Sequence, residues 1–309
     1  MSAERRIPVY LLTGFLGSGK TTLLNAALRD PALANTAVVV NELGDVGLDH
    51  LVVAQASDNV VLLDAGCLCC VNSGALHETL VDLVGRRARG EIPAFERVII
   101  ETSGAADPAP LLHVLLGHPL VTPDFRLAAV ACAVDAQHFL ASRKNHPELD
   151  KQVAMADRVV ITKRDLADPA PVTAFLRESE AEVTERPFFG DARPRARLHL
   201  RGPLHLHGKP GGIRAHTFRP GPVTWASWAA WSRLVAERFG ARLLRVKGLL
   251  RMEDTGEIAL VHGVQGVFHK PQRFGDWPDA DRANRLVCIA RDVERSEIEQ
   301  TLKESETQA

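Results

Sequence analysis

Six short apolar runs punctuate the first half of the chain: Ile7–Leu12, Ala37–Val40, Val60–Leu63, Val98–Ile100, Leu127–Val134 and Val159–Ile161. Each is bounded by polar or glycine-containing turns and is too short for a helix, so each predicts a strand buried on both faces. Helical spacing fills the gaps. Leu23, Leu24, Ala27 and Leu28 share one face, as do Ala75, Leu76, Leu80, Leu83 and Val84. Pro108 and Pro110 open a helix through Leu111, Leu112, Leu115 and Leu116. A helix around Phe175 and a short stretch near Val183 close this half. Strands alternating with helices predict an α/β fold, a parallel sheet with helices on both faces.

The strands end on polar residues: Asn41, Asp64, Glu101, Asp135 and Thr162. In open α/β sheets ligands bind beyond the carboxyl ends of the strands, so these endings mark one functional edge. From about Gly190 to Gly212, Arg, Pro, Gly and His replace the apolar period, which predicts a linker. Beyond it come a strand at His216–Phe218, a helix over Thr224–Arg238 carrying Trp225, Trp228 and Trp231, strands at Leu243–Leu250, Ile258–Val264 and Leu286–Ala290, and a last short helix starting at Ile298–Leu302. The tryptophan stripe reads as core. The predicted organisation is a P-loop domain over 1–190, a linker over 191–212, and a smaller α+β domain over 213–309.

The first turn carries the most specific chemistry. Gly14-Phe15-Leu16-Gly17-Ser18-Gly19-Lys20-Thr21 fits G-x-x-x-x-G-K-[ST] between a predicted strand and a predicted helix. The glycines permit a loop whose backbone N–H groups turn toward an anion, and the helix N-terminus adds partial positive charge. Gly14, Gly17, Ser18, Gly19, Lys20, Thr21 and Thr22 are therefore the expected phosphate-binding residues. Lys20 reaches the β/γ-phosphates and the Thr21 hydroxyl suits Mg²⁺. Glu101, in Glu101-Thr102-Ser103-Gly104, is placed to hold Mg²⁺ directly or through water, and Gly104 lets a backbone N–H approach the γ-phosphate. Lys20 and Glu101 are the expected catalytic residues.

Ile161-Thr162-Lys163-Arg164-Asp165 suits a base. The Asp165 carboxylate could accept from the guanine N1–H and exocyclic amine together, a donor pair that adenine lacks, while the Lys163 stem covers one face of the ring. This favours GTP over ATP.

A second cluster, Gly66-Cys67-Leu68-Cys69-Cys70, places three thiols within four residues after the third strand. Such thiols converge on one soft metal ion; Zn²⁺ is the first expectation, and Cu(I) also fits the softness. With no fourth ligand evident nearby, the site suits metal exchange rather than a closed structural role. Glu42, ending the second strand, is a further candidate ligand. A redox pair is the competing reading, because Cys67 and Cys70 also have C-x-x-C spacing. Cys132 and Cys288 sit in apolar strands and read as core. Histidines 199, 205, 207 and 216 lie around the linker without acid or thiol partners, and read as solvated loop residues.

Composition narrows the partners. The chain has 309 residues, 46% hydrophobic and 24% charged, with a net charge of −1. Nothing here is basic enough to argue for nucleic acid or an anionic membrane surface. No apolar run is long enough for a transmembrane helix, and Arg5-Arg6 before Ile7 is followed by no cleavage-like site. Five cysteines, three of them clustered, suit a reducing cytoplasm rather than a disulfide scaffold.

Together, GFLGSGKTTLLN, NELGDVGLDH, GCLCC, ETSGAADPAP and TKRD resemble the CobW-type P-loop GTPases, metal chaperones related to the urease and hydrogenase nickel-insertion GTPases. The likeness extends through LLRVKGLL, VHGVQGVFH and RLVCIARD. It implies an N-terminal GTPase domain, GTP hydrolysis with Mg²⁺, a divalent metal (often zinc) at Cys67, Cys69 and Cys70, and delivery to a client metalloprotein. Some relatives handle cobalt for cobalamin synthesis or serve nitrile hydratase maturation, so Co²⁺ is the alternative cargo; a nucleotide-binding thiol sensor is the alternative from another class. Thr162 stands where many GTPases have Asn, Asp45 where Glu is usual, and the linker histidines are sparse for the family.

Overall fold

The structure is a computed structural model that describes residues 6–40, 60–64, 74–177, 181–184, 204–205, 212–278 and 280–307. These fall into two compact units.

The first unit runs β1 (Ile7–Gly14), α1 (Lys20–Leu28), β2 (Thr36–Val40), β3 (Val60–Asp64), α2 (Gly74–Ala88), β4 (Arg97–Glu101), α3 (Ala109–Gly117), β5 (Phe125–Asp135), α4 (Phe139–Ser142), α5 (Pro147–Met155), β6 (Arg158–Thr162), α6 (Ala170–Leu176) and β7 (Glu182–Thr184). The strands form one parallel sheet in the order β3-β2-β4-β1-β5-β6-β7. A parallel sheet needs crossovers, and helices supply them on both faces. Alternation along β1 and β5 shows this directly. Tyr10, Leu12, Ala129 and Ala131 pack with Leu24 and Leu28 of α1. Cys132 and Val134 point the other way and pack with Phe139 of α4, Leu149 and Val153 of α5 and Leu176 of α6.

The strand register sets up the functional edge. Leu12 pairs with Glu101, Gly14 with Ala133, Val40 with Glu101 and Asp135 with Thr162. β1 lies between β4 and β5, so the loop after it emerges at the middle of the carboxyl edge, flanked by the ends of the neighbouring strands.

Two helices, α4 and α5, fill a stretch between β5 and β6 that the apolar pattern left without elements. β5 also runs further than its apolar run at both ends, because Ile7 and Pro8 pair with Phe125 and Arg126, and Thr162 pairs with Asp135.

The second unit runs β8 (Leu204–His205), β9 (Ile213–Phe218), α7 (Trp225–Phe239), β10 (Leu243–Arg251), β11 (Ile258–Val264), β12 (Val267–Phe268), β13 (Gln272–Phe274), β14 (Arg285–Arg291) and α8 (Arg295–Thr307). The sheet is antiparallel, ordered β12-β11-β10-β14-β9-β8, with β13 added beside β11. Thr224 and Ser227 form a capping box at the start of α7. Trp228, Trp231, Val235 and Phe239 of α7 join Val246, Leu250, Val261 and Ile298 in one core. The Trp231 indole N–H donates to Thr301 Oγ1 at 3.0 Å, which ties α7 to α8. This is the α+β domain that the second half predicts. Trp228 and Trp231 are buried, and Trp225 packs against them at the rim.

Candidate functional site

The loop after β1 has the backbone that its glycines allow. Gly17 and Gly19 hold φ of 67° and 84°, and Gly14 holds 145°. A Cβ at Gly14 would lie 2.4 Å from the Ala133 carbonyl oxygen, so only glycine lets the chain leave β1 against β5. Gly19 is the N-cap of α1 and offers no side-chain cap. The first amides of α1 are therefore left for an external acceptor, the arrangement of an anion site.

The side chains collect around this loop. Lys20 is buried, and its ammonium donates to the Phe15 carbonyl at 3.2 Å. The Thr21 hydroxyl donates to Glu101 Oε1 at 2.8 Å, and Glu101 is fully buried. Ser18 is buried within the loop, whereas Thr22 is exposed on the first turn of α1. Thr102, the residue after Glu101, donates to Thr13 Oγ1 at 3.1 Å and through its amide to the Leu12 carbonyl at 2.9 Å, which fastens the end of β4 to β1.

Thr21 and Glu101 form an all-oxygen donor pair beside a glycine-rich anion cradle. A buried carboxylate next to a hydroxyl suits a small hard cation, so these two residues fit Mg²⁺ and would hold it.

The loop after Glu101 closes on the phosphate loop. A Cβ at Gly104 would lie 2.5 Å from the Leu16 amide nitrogen, so the backbones touch there. Behind it, the buried Gln152 of α5 donates to the carbonyls of Gly104 at 3.0 Å and Ala106 at 3.1 Å.

The strand-six motif is tied to the same loop. The Thr162 hydroxyl lies 2.6 Å from the Ser18 carbonyl and 3.2 Å from that of Val134, and donates to this pair. Lys163 adopts φ 55° and its ammonium meets Asp135 Oδ2 at 2.6 Å. Asp135 also accepts from the Gln137 amide at 2.7 Å and lies 3.0 Å from His138 Nδ1. Burial pushes the Asp135 pKa up, but the bonds from Lys163, His138 and Gln137 outweigh it, and the carboxyl stays below its ordinary value. Asp165 is exposed in the turn that follows. A cavity of about 270 Å³ opens here, with Phe15, Leu16, Asp135, His138, Lys163 and Gln152 among its walls.

The structure therefore brings Gly14, Gly17, Ser18, Gly19, Lys20, Thr21, Glu101, Gly104, Thr162 and Lys163 to one edge. Glu42, Cys67, Cys69 and Cys70 lie outside the described residues, as do His199 and His207; His205 ends β8, and His216, expected as a solvated loop residue, is instead buried in β9, where strand pairing takes it into the second unit's sheet. Cys132 and Cys288 are buried in the two cores, and burial pushes the Cys132 thiol up to about 12. Two contributors were missed in the sequence, Asp135 as the anchor of Lys163 and Gln152 as the support of Gly104. The available signal for Gln152 was an amide three residues after Leu149, at helical spacing from it.

Comparison with known proteins agrees with this geometry. Residues 8–189 match the family model described as CobW/HypB/UreG, nucleotide-binding domain, and residues 213–306 match the cobalamin synthesis protein cobW C-terminal domain. The zinc chaperone YjiA of Escherichia coli is 37% identical over 180 residues, which is 58% of this chain and 55% of that protein. The zinc chaperone CobW of Pseudomonas aeruginosa is 28% identical across 98% of this chain and 92% of its own length. The zinc-regulated GTPase metalloprotein activator 1 of Saccharomyces cerevisiae is 26% identical across 98% and 84%. Among solved structures, Zn(II)-bound YjiA GTPase from E. coli superposes with a TM-score of 0.67 at 26% identity, covering 96% of this chain and 98% of that one. A Zn(II)-bound triple mutant of the same protein gives 0.72 at 24% identity over the same shares, a match of fold.

Proposed function

The chain belongs to the CobW/HypB/UreG family, and from that premise we propose that it hydrolyses GTP to load and release a transition metal, Zn²⁺, for a client metalloprotein. The observation that carries the reading is the Thr21–Glu101 contact at the mouth of a glycine loop. The relatives named zinc chaperones and metalloprotein activator supply the cargo class.

The protein's part in hydrolysis is positioning and electrostatics. The amides of Gly17 to Thr21 and the Lys20 ammonium surround the β- and γ-phosphates and hold the charge that builds as water attacks the γ-phosphorus. Lys20 leaves the Phe15 carbonyl to do so. Thr21 and Glu101 would hold Mg²⁺, which would supply neutralisation of the negative charge on the phosphates. The Gly104 amide faces the γ-phosphate, Asp165 reads the guanine edge, and the Lys163 stem covers the ring. No arginine finger or water-orienting glutamine stands out in the motifs, so unstimulated turnover is slow and the client accelerates it.

Cys67, Cys69 and Cys70 take the Zn²⁺ as thiolates, with Glu42 as a further ligand. Both segments follow strands that end at the nucleotide edge, β2 and β3. Because both stretches continue in sequence from strands that end at the nucleotide edge, nucleotide state sets metal affinity.

Zn²⁺ titration of the reduced protein, loaded with Mg²⁺ and a non-hydrolysable GTP analogue and then with GDP, tests this. Stoichiometric binding that weakens with GDP and disappears in Cys67→Ser/Cys69→Ser/Cys70→Ser supports it. Zn²⁺ affinity indifferent to both nucleotide and cysteines would leave a GTPase without this cargo.

A further inference from the structure

Gln152 is an unusual core residue. It lies on the inward face of α5 between Leu149 and Val153, it is 1% exposed, and it is not a phosphate- or base-contacting position of any motif in the chain. Burying an amide costs free energy unless its hydrogens are used. Here Nε2 donates to two main-chain carbonyls of one loop, Gly104 at 3.0 Å and Ala106 at 3.1 Å. That loop is a tight turn, with the Ala106 amide donating to the Ser103 carbonyl at 3.1 Å, so Gly104 and Ala105 are its central residues. The neighbouring Lys151 pairs with Asp107 at the end of the same turn, and Asp107 in turn accepts from the Ala109 amide at the start of α3 at 3.0 Å.

The opposite side of the turn has no slack. Gly104 meets the Leu16 backbone so closely that a methyl group would collide with it. The turn is thus clamped between the phosphate loop and α5, and one side chain fixes the Gly104–Ala105 peptide at its centre, next to the peptide that carries the Gly104 N–H, and the Ala106–Asp107 peptide just beyond it. The Gly104 amide serves hydrolysis only if it is fixed before the γ-phosphate arrives, because preorganised donors stabilise developing charge without reorganisation.

We infer that Gln152 is a positioning residue for γ-phosphate recognition and hydrolysis, acting through the turn that contains Gly104 rather than by touching nucleotide. More fully, it locks the Ser103–Ala106 turn so that the Gly104 amide discriminates GTP from GDP. The inference rests on the GTPase reading above. Glutamine suits the task because it carries two donors on one nitrogen. Glutamate at this position would face two carbonyl oxygens with an acceptor-only group.

The test uses the full chain with Gln152→Glu and Gln152→Leu, and Lys151→Met as a milder change on the partly exposed side of the clamp. Steady-state phosphate release and the affinities for GDP and a non-hydrolysable GTP analogue are measured for each. The expected result is a fall in kcat of about tenfold or more, the scale on which loss of a preorganised donor is felt. GDP affinity stays within about twofold of wild type, because the phosphate-loop and base contacts of GDP do not involve Gln152. The analogue-to-GDP affinity ratio drops with kcat, and Lys151→Met shifts both the same way by less. Wild-type kcat and ratio in the Gln152 variants would overturn the inference. So would an equal loss of GDP and analogue affinity, which marks general unfolding of the site. If the wild-type chain binds GTP without hydrolysing it, the GTPase reading fails, and the affinity ratio still decides the role of Gln152.

Discussion

The Thr21 hydroxyl donates to Glu101 Oε1 across 2.8 Å, joining the start of α1 to the end of β4, 80 residues apart in the chain. The contact exists because β1 and β4 pair in parallel with Leu12 opposite Glu101, which sets the carboxylate beside the loop that follows β1. Thr21→Ala removes one oxygen of the pair and Glu101→Gln removes its charge. Each should lower GTP turnover by about 10²-fold or more at saturating nucleotide, with Mg²⁺ required at higher concentration. Phosphate release measured across a Mg²⁺ titration checks this. Turnover in Glu101→Gln equal to wild type would remove the carboxylate from the reaction.

Thr162 predicts a different kind of loss. Its hydroxyl reaches the Ser18 carbonyl at 2.6 Å, so the motif after β6 braces the phosphate loop. Gly19 lies alongside, where an added Cβ would be 3.6 Å from the Thr162 side chain. Thr162→Val keeps the shape and deletes the donor. A carbonyl left short of its partner costs about 1–3 kcal/mol. GDP and GTP affinities should fall together, by roughly tenfold for each 1.4 kcal/mol, with kcat little changed. Fluorescent-nucleotide titration reads the affinities and phosphate release reads kcat. A selective loss of kcat would assign Thr162 to the chemical step instead.

Asp135 anchors Lys163, whose left-handed backbone needs holding in place. Its pKa lies below the ordinary 3.8 because bonds from Lys163, His138 and Gln137 outweigh the upward push of burial. A lowered folded-state value means that the pair's stabilisation is complete above the ordinary carboxylate range and is lost as the pH falls through the lowered value. Asp135→Asn should therefore melt at a lower temperature than wild type near neutral pH, by an amount set by about 1–3 kcal/mol. The gap should close as the pH is taken below about 4. Thermal melts of both proteins across that range test it, and a gap that is constant with pH would show that charge is not the cause.

These three contacts also mark the boundary of what could be read from residues alone. The strands were readable because their apolar runs are continuous and bounded, and the phosphate loop because its glycines have a distinctive spacing. Thr162 and Asp135 were seen as strand ends, but their partners sit 144 and 28 residues away and appear only once β1, β5 and β6 are in register. α4 is four residues long, too short to show a period. α5 has nine residues, and Gln152 interrupts the apolar face that would have announced it. The residue that hid the helix is the one that supports Gly104. In the second unit, Trp225, Trp228 and Trp231 at helical spacing were enough, since nothing polar interrupts the stripe they make.

His216 yields a pH prediction in the second unit. On β9 it faces Cys288 across the strand pair, and its Nε2–H donates to the Val293 carbonyl at 2.9 Å. Nδ1 is buried with no hydrogen-bond partner among the described residues. Charging the ring would put a proton on that buried nitrogen, close to Arg295 and Arg214, with Glu294 the opposing charge. Burial lowers the pKa most, the Val293 bond raises it, the two arginines lower it further, and Glu294 raises it; the result lies below 6.5. The folded state thus prefers neutral histidine more than the unfolded chain does. The stability this contributes is fully present above the unfolded value of 6.5 and is lost as the pH falls toward the lower folded value. The melting temperature should drop on going from about pH 7.5 to about 5, and His216→Gln, which keeps a donor for Val293, should lose part of that dependence. Melts of the two proteins at matched ionic strength decide it. Parallel curves would assign the acid sensitivity to other groups, because the arginines facing His216 stay charged throughout the range.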